Sequence, residues 1–172
     1  DATPNTNPTA AQYAAIGVTG VTAGVQTDLL ADVVGTQQRT NVDTVGELQT
    51  LADAASAVIA NASGAASVTV AQLQALGVTG VTPDNLAAIQ TAIAATNVDG
   101  TGVDSQSELQ TLVNTINSGV AAISGFAQTN STGLSNATGT APTADDYAHA
   151  GVTGFVPANL NAITDALASA NI

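Results

Sequence analysis

The sequence predicts an all-α protein made of tandem small three-helix bundles, the third of them incomplete. Three observations predict it: a pentapeptide recurs along the chain, apolar stripes at helical spacing follow it, and strand-type alternation is absent. The pentapeptide reads GVTGV at 17–21 and 77–81 and GVTGF at 151–155. A second anchor lies downstream, where TNVDTVGELQTLADA from Thr40 corresponds to TGVDSQSELQTLVNT from Thr101. Residues 1–67 are therefore copy one, 68–128 copy two and 142–172 a partial copy three with no ELQTL counterpart. The intervening stretch 129–141 is rich in Ser, Thr, Asn and Gly and reads as a linker.

The first helix of each copy is expected to begin at Thr9, Thr69 or Thr143. Gln12 and Gln72 stand three residues beyond the first two. In that spacing hydroxyl and amide satisfy each other's backbone N–H groups as a capping box. Gly17, Gly77 and Gly151 end the helix, because glycine adopts the left-handed conformation without a Cβ clash. The second helix is clearest at Thr82, with Pro83 in its first position and Asp84 where the helix dipole favours an acid. Its apolar stripe Leu86, Ile89 and Ile93 recurs as Leu160, Ile163 and Leu167. Copy one keeps Leu29 and Val33 but has Gln26 where the stripe should start, so its second helix is expected to be less secure.

The third helix opens on the capping boxes Thr44–Glu47 and Ser105–Glu108. Leu48, Leu51, Ala55, Val58 and Ile59 form its face in copy one; Leu109, Leu112, Val113, Ile116, Val120 and Ile123 form it in copy two. No helix can bury such a stripe alone, and three of them close most simply as a bundle. A bundle of about 55 to 60 residues is near the lower limit of independent stability. Neighbouring copies are therefore expected to touch, in a linear array rather than one merged globule.

Composition narrows the function. One basic residue, Arg39, faces thirteen acids for a net charge of −12, which excludes nucleic acid and anionic membrane surfaces as partners. Aromatics are 2% and Met, Trp and Cys are absent, so any core is aliphatic and must pack closely. No apolar run reaches the roughly 18 residues of a membrane span. The chain opens at Asp1 without a basic-then-apolar leader, which suggests a processed or excised segment, and its uncharged polar surface suits export.

The run GVTGVTPDNLAAIQTAIAA followed by VDSQSELQTLVNTIN resembles the helical repeats of very large bacterial extracellular proteins, including biofilm-associated and type I secreted adhesin-like polypeptides. The resemblance covers nearly the whole chain apart from its first few residues and 130–142. It implies tandem modules in a surface-exposed stalk and no catalytic residue. The expected function is a non-catalytic spacer at the bacterial cell surface. Two alternatives stand beside it. One is a self-assembling filament or sheath subunit, whose stripe Leu160, Ile163 and Leu167 is completed by a neighbour. The other is an adhesion module for a host or matrix protein, although Tyr13, Tyr147, Phe126, Phe155 and Arg39 are its only candidate hot spots.

Calcium is the one cofactor the sequence offers. In NVDGTGVDSQSE the oxygens of Asn97, Asp99, Thr101 and Glu108, with Gly102, match positions one, three, five, twelve and six of an EF-hand loop. Against it, Asp104 occupies a usually apolar position and Glu108 already belongs to a capping box. Copy one also places Arg39 where the cation would sit, and an ordinary Asn/Gly turn is the favoured reading. His149, four residues beyond Asp145, reads as a helix-end residue rather than a ligand or base.

Overall fold

The computed structural model describes residues 6–128 and 139–169, so part of the expected linker lies outside the described residues. Within them the chain is all-helical and contains no strand. The helices are α1 Ala10–Ala15, α2 Val25–Thr36, α3 Val45–Ala62, α4 Val70–Ala75, α5 Leu86–Ala94, α6 Gln106–Gln128, α7 Ala144–His149 and α8 Leu160–Ser169. Short 3-10 turns form at Arg39–Asn41 and Pro157–Asn159. The chain divides into two compact units, Asp1–Val113 and Asn114–Ile172.

Capping chemistry sets the starts of the short helices. Thr9 and Thr69 accept from the N–H of Gln12 and Gln72, whose side chains accept from the threonine N–H in return. Thr143 does the same with Asp146, a box that a search for Glu or Gln overlooks. Thr44 with Glu47 and Ser105 with Glu108 start α3 and α6. Each such cap stabilises by about 1 kcal/mol.

The three stops are alike. Gly17, Gly77 and Gly151 have φ of 96°, 79° and 78°. The next residue donates back five positions, Val18 to Tyr13, Val78 to Leu73 and Val152 to Tyr147, at 3.0, 3.1 and 3.0 Å. Only a left-handed residue lets the chain turn this way, which places a glycine at each site.

The second helix departs from expectation. In copy two it starts at Leu86, not at Pro83, because Asn85 closes the preceding turn. Asn85 Oδ1 accepts from the Thr82 N–H at 2.8 Å, and its Nδ2 donates to the Gly80 carbonyl at 2.8 Å. Copy one performs the same task with Gln26, one residue later and one methylene longer. Its Oε1 accepts from the Thr22 N–H at 2.9 Å and the Thr22 hydroxyl at 2.6 Å, while Nε2 donates to the Gly20 carbonyl at 3.2 Å. Gln26 is therefore a buried, hydrogen-bonded pin rather than a gap, and α2 outlasts α5 by 12 residues to 9.

In the first unit α3 packs against α2, α4 and α5. Its buried Ala52, Ala54 and Ala55 allow close approach, while Leu51 and Val58 share the core with Leu29, Leu30, Val33, Leu73, Ile89, Ile93, Leu109 and Val113. Each such aliphatic side chain stabilises by roughly 1.5–3 kcal/mol on burial. The helix that ends copy one thus supports the first two helices of copy two.

Polar groups fix that junction. The buried Asn61 accepts from the Val68 N–H at 3.1 Å and donates to the Gln90 carbonyl at 2.9 Å. Gln90 returns a bond to the Val68 carbonyl at 2.7 Å. Asp32 of α2 accepts from the Gln106 N–H at 2.8 Å, placing an acid at the start of α6 where the dipole favours it.

In the second unit, Gly119 of α6 lies against α7. A Cβ there would stand 2.5 Å from the Asp146 carbonyl oxygen and 2.8 Å from the Ala150 nitrogen. The buried Tyr147 stacks on Phe155, ring centroids 5.2 Å apart and planes 17° from parallel.

Candidate functional site

The segment proposed for calcium is stitched together by its own side chains. Asp99 Oδ1 accepts from the Thr101 N–H at 3.1 Å and the Thr101 hydroxyl at 2.9 Å, which holds its carboxyl below the usual range. Asn97 Nδ2 donates to Thr101 Oγ1 at 2.9 Å. Glu108 is occupied at the start of α6, where its Oε2 accepts from Ser105 N–H and Oγ at 3.2 and 3.0 Å. An EF-hand turns sharply on the glycine at its sixth position. Here the left-handed glycine is Gly100, with φ of 84°, and Gly102 has no positive φ. Gly100 is buried; a Cβ on it would come within 2.8 Å of Ile59 Cδ1 and 3.4 Å of Val25 Cγ2.

Asp104, four residues beyond Gly100, is pushed above the usual carboxylate range by desolvation first and then by the neighbouring Glu108 and Asp28. Among the described residues no three His, Cys, Asp or Glu side chains are grouped to hold a metal. His149 is exposed at the end of α7, and Asp146 beside it is committed to Thr143, which lowers its pKa. The groove between α3 and α4, lined by Thr50, Asp53, Ala54, Ala71, Gln72 and Ala75, has Asp53 as its titratable group.

A different constellation recurs, and it joins the two sequence anchors. In copy one Gln49, the glutamine of ELQTL, accepts through Oε1 from the Thr19 N–H at 2.8 Å and donates through Nε2 to the Thr19 carbonyl at 3.0 Å. In copy two Gln110 accepts from the Thr79 N–H at 2.8 Å and donates to its carbonyl at 3.1 Å. The first helical residue lies over the glycine. Val45 Cγ1 is 3.8 Å from a Cβ built on Gly17, and Gln106 Nε2 donates to the Gly77 carbonyl at 3.1 Å. The third helix is thereby clamped onto the GVTG turn, and the valine inside that turn is buried: Val18 is 1% exposed and Val78 2%.

Among the described residues, copy three has the turn without the clamp. Val152 is 43% exposed, and Thr153 makes none of these bonds among the described residues. The expected assembly residues Leu160, Ile163 and Leu167 lie along α8, all half-buried. Leu160 matches its half-buried counterpart Leu86, whereas the counterparts of Ile163 and Leu167, Ile89 and Ile93 in copy two and Leu29 and Val33 in copy one, are completely buried. The sequence marked the stripe but missed Gln49, Gln110 and Val152. The recurrence of one threonine and one glutamine in both complete copies was the available signal. Comparison with protein-family models, curated proteins and solved structures finds no match.

Proposed function

We propose that the chain is a non-catalytic spacer segment of an extracellular, adhesin-like bacterial surface protein, in which each copy is a small helical module seated on the one before. One observation carries this reading: α3, which ends copy one, packs on α4 and α5 of copy two and is bonded to that copy through Asn61. A module that needs its predecessor's last helix adds on in one direction, as in a solenoid. A surface rich in uncharged polar side chains, with a net charge of −12, suits a part that stays soluble and avoids nonspecific contacts.

The test inserts one, two and three further copies of residues 68–128 after Gln128 and follows the maximum dimension by small-angle X-ray scattering. A spacer lengthens by the same increment with each copy. Growth that falls away as copies are added means collapse into a globule and rejects the reading. A second reading, a subunit completed by a neighbour at copy three, is favoured by the exposure of Val152.

A further inference from the structure

We propose that copy three is a docking seat whose fitting partner is an amphipathic helix of the α3 type. That helix has a Ser or Thr cap, Glu three residues on, and Leu-Gln-Thr-Leu immediately after. The inference rests on the modular reading above and names the partner it requires.

Two complete examples within the chain show what covers such a seat. In both, the first turn of the third helix lies over the glycine, and its glutamine bonds to both backbone groups of the threonine. Copy three preserves every receiving element. Gly151 has the same left-handed backbone as Gly77, 78° against 79°, and Val152 makes the same closing bond. Thr153 stands where Thr19 and Thr79 stand, and α8 repeats the apolar stripe of α5.

The cover differs. Val152 rises to 43% exposure from the 1% and 2% of its counterparts, and Ile163 and Leu167 are partly uncovered where Ile89 and Ile93 are not. The partner is selected by three features together. An apolar face meets the α8 stripe, a neutral amide of glutamine length reaches the threonine backbone, and a small or flexible first residue fits over Gly151. A lysine or glutamate at the glutamine position offers only donors or only acceptors, whereas the threonine presents one of each.

The full chain tests this directly. Residues 39–62 of copy one are joined after Ile172, which reproduces the spacing between Gly17 and Thr44. Amide hydrogen exchange is then read at Thr153, with Thr19 and Thr79 as internal standards. Docking slows exchange at the Thr153 N–H by about tenfold or more, toward the rate at Thr79. Gln49→Leu in the graft returns Thr153 to its original rate, as does Val152→Asp in the seat, while Val98→Asp, on an exposed loop, leaves it slow.

An unprotected Thr153 in the grafted chain overturns the proposal. So does protection in the ungrafted chain that grows with protein concentration, since a second copy is then the occupant. Equal scattering increments with an unprotected Thr153 leave the spacer standing and remove the seat; protection without equal increments does the reverse.

Discussion

Gly119→Ala and Gly125→Ala place the same methyl group on the same helix and should act with opposite sign. Alanine is favoured over glycine inside a helix by about 1 kcal/mol. At Gly125 no described residue lies within 4 Å of the added Cβ, so the full gain is expected. At Gly119 the Cβ would stand 2.5 Å from the Asp146 carbonyl oxygen. Ordinary C···O contacts are about 3.3 Å, so α7 must retreat by about 0.8 Å. Retreat strains the Thr143 cap and loosens Tyr147 from the core, an overpacking cost of about 1–3 kcal/mol or more. The net expectation is a loss of up to about 2 kcal/mol at Gly119. Urea denaturation measures both variants, and hydrogen exchange at Tyr147 and Ala150 localises the effect. If both substitutions stabilise equally, α6 does not approach α7 as described and the packing argument fails.

Three further outcomes are expected. Asn61→Leu strands the buried Val68 N–H and should cost about 1–3 kcal/mol in urea titration, with an unchanged midpoint counting against Asn61 as the bond between copies. The carboxyl of Glu47 lies below its usual range because Thr44 donates to it, so its contribution is present above the unfolded pKa and is lost as pH falls through the folded one. Glu47→Gln, the pairing α1 and α4 already use, should therefore narrow the fall in urea midpoint between pH 7 and about pH 3. Millimolar calcium should leave the melting temperature unchanged, because Asn97, Asp99 and Thr101 are bonded among themselves and Glu108 is bonded at Ser105; a rise that Glu108→Gln abolishes would restore the metal.

The legible part of the fold was its local chemistry. A capping box closes within three residues and a glycine stop within one turn, so Thr9 with Gln12, Thr44 with Glu47, and Gly77 could be read directly from the chain. The illegible part depends on distance. Gln26 looked like a polar error in an apolar stripe because its partners, Thr22 and Gly20, are backbone groups of a turn whose shape the sequence does not state. Asn61 is read only once α4 and α5 lie beside it. The start of α5 moved from Pro83 to Leu86 for a similar reason, since Asn85 competes for the backbone that proline would otherwise lead into a helix. At the candidate site, motif matching found oxygen-bearing residues at EF-hand spacing but could not foresee that the left-handed turn falls at Gly100.

The threonine–glutamine clamps and the Asn61 bridge are made mainly of amides and backbone groups, with carboxylates beside them at Asp53, which accepts from Gln49, and Asp32, which accepts from the Gln106 N–H. Dissolved salt screens charges and has little hold on neutral dipoles in contact. The neutral part of such joints is expected to hold in fresh water and in brine alike.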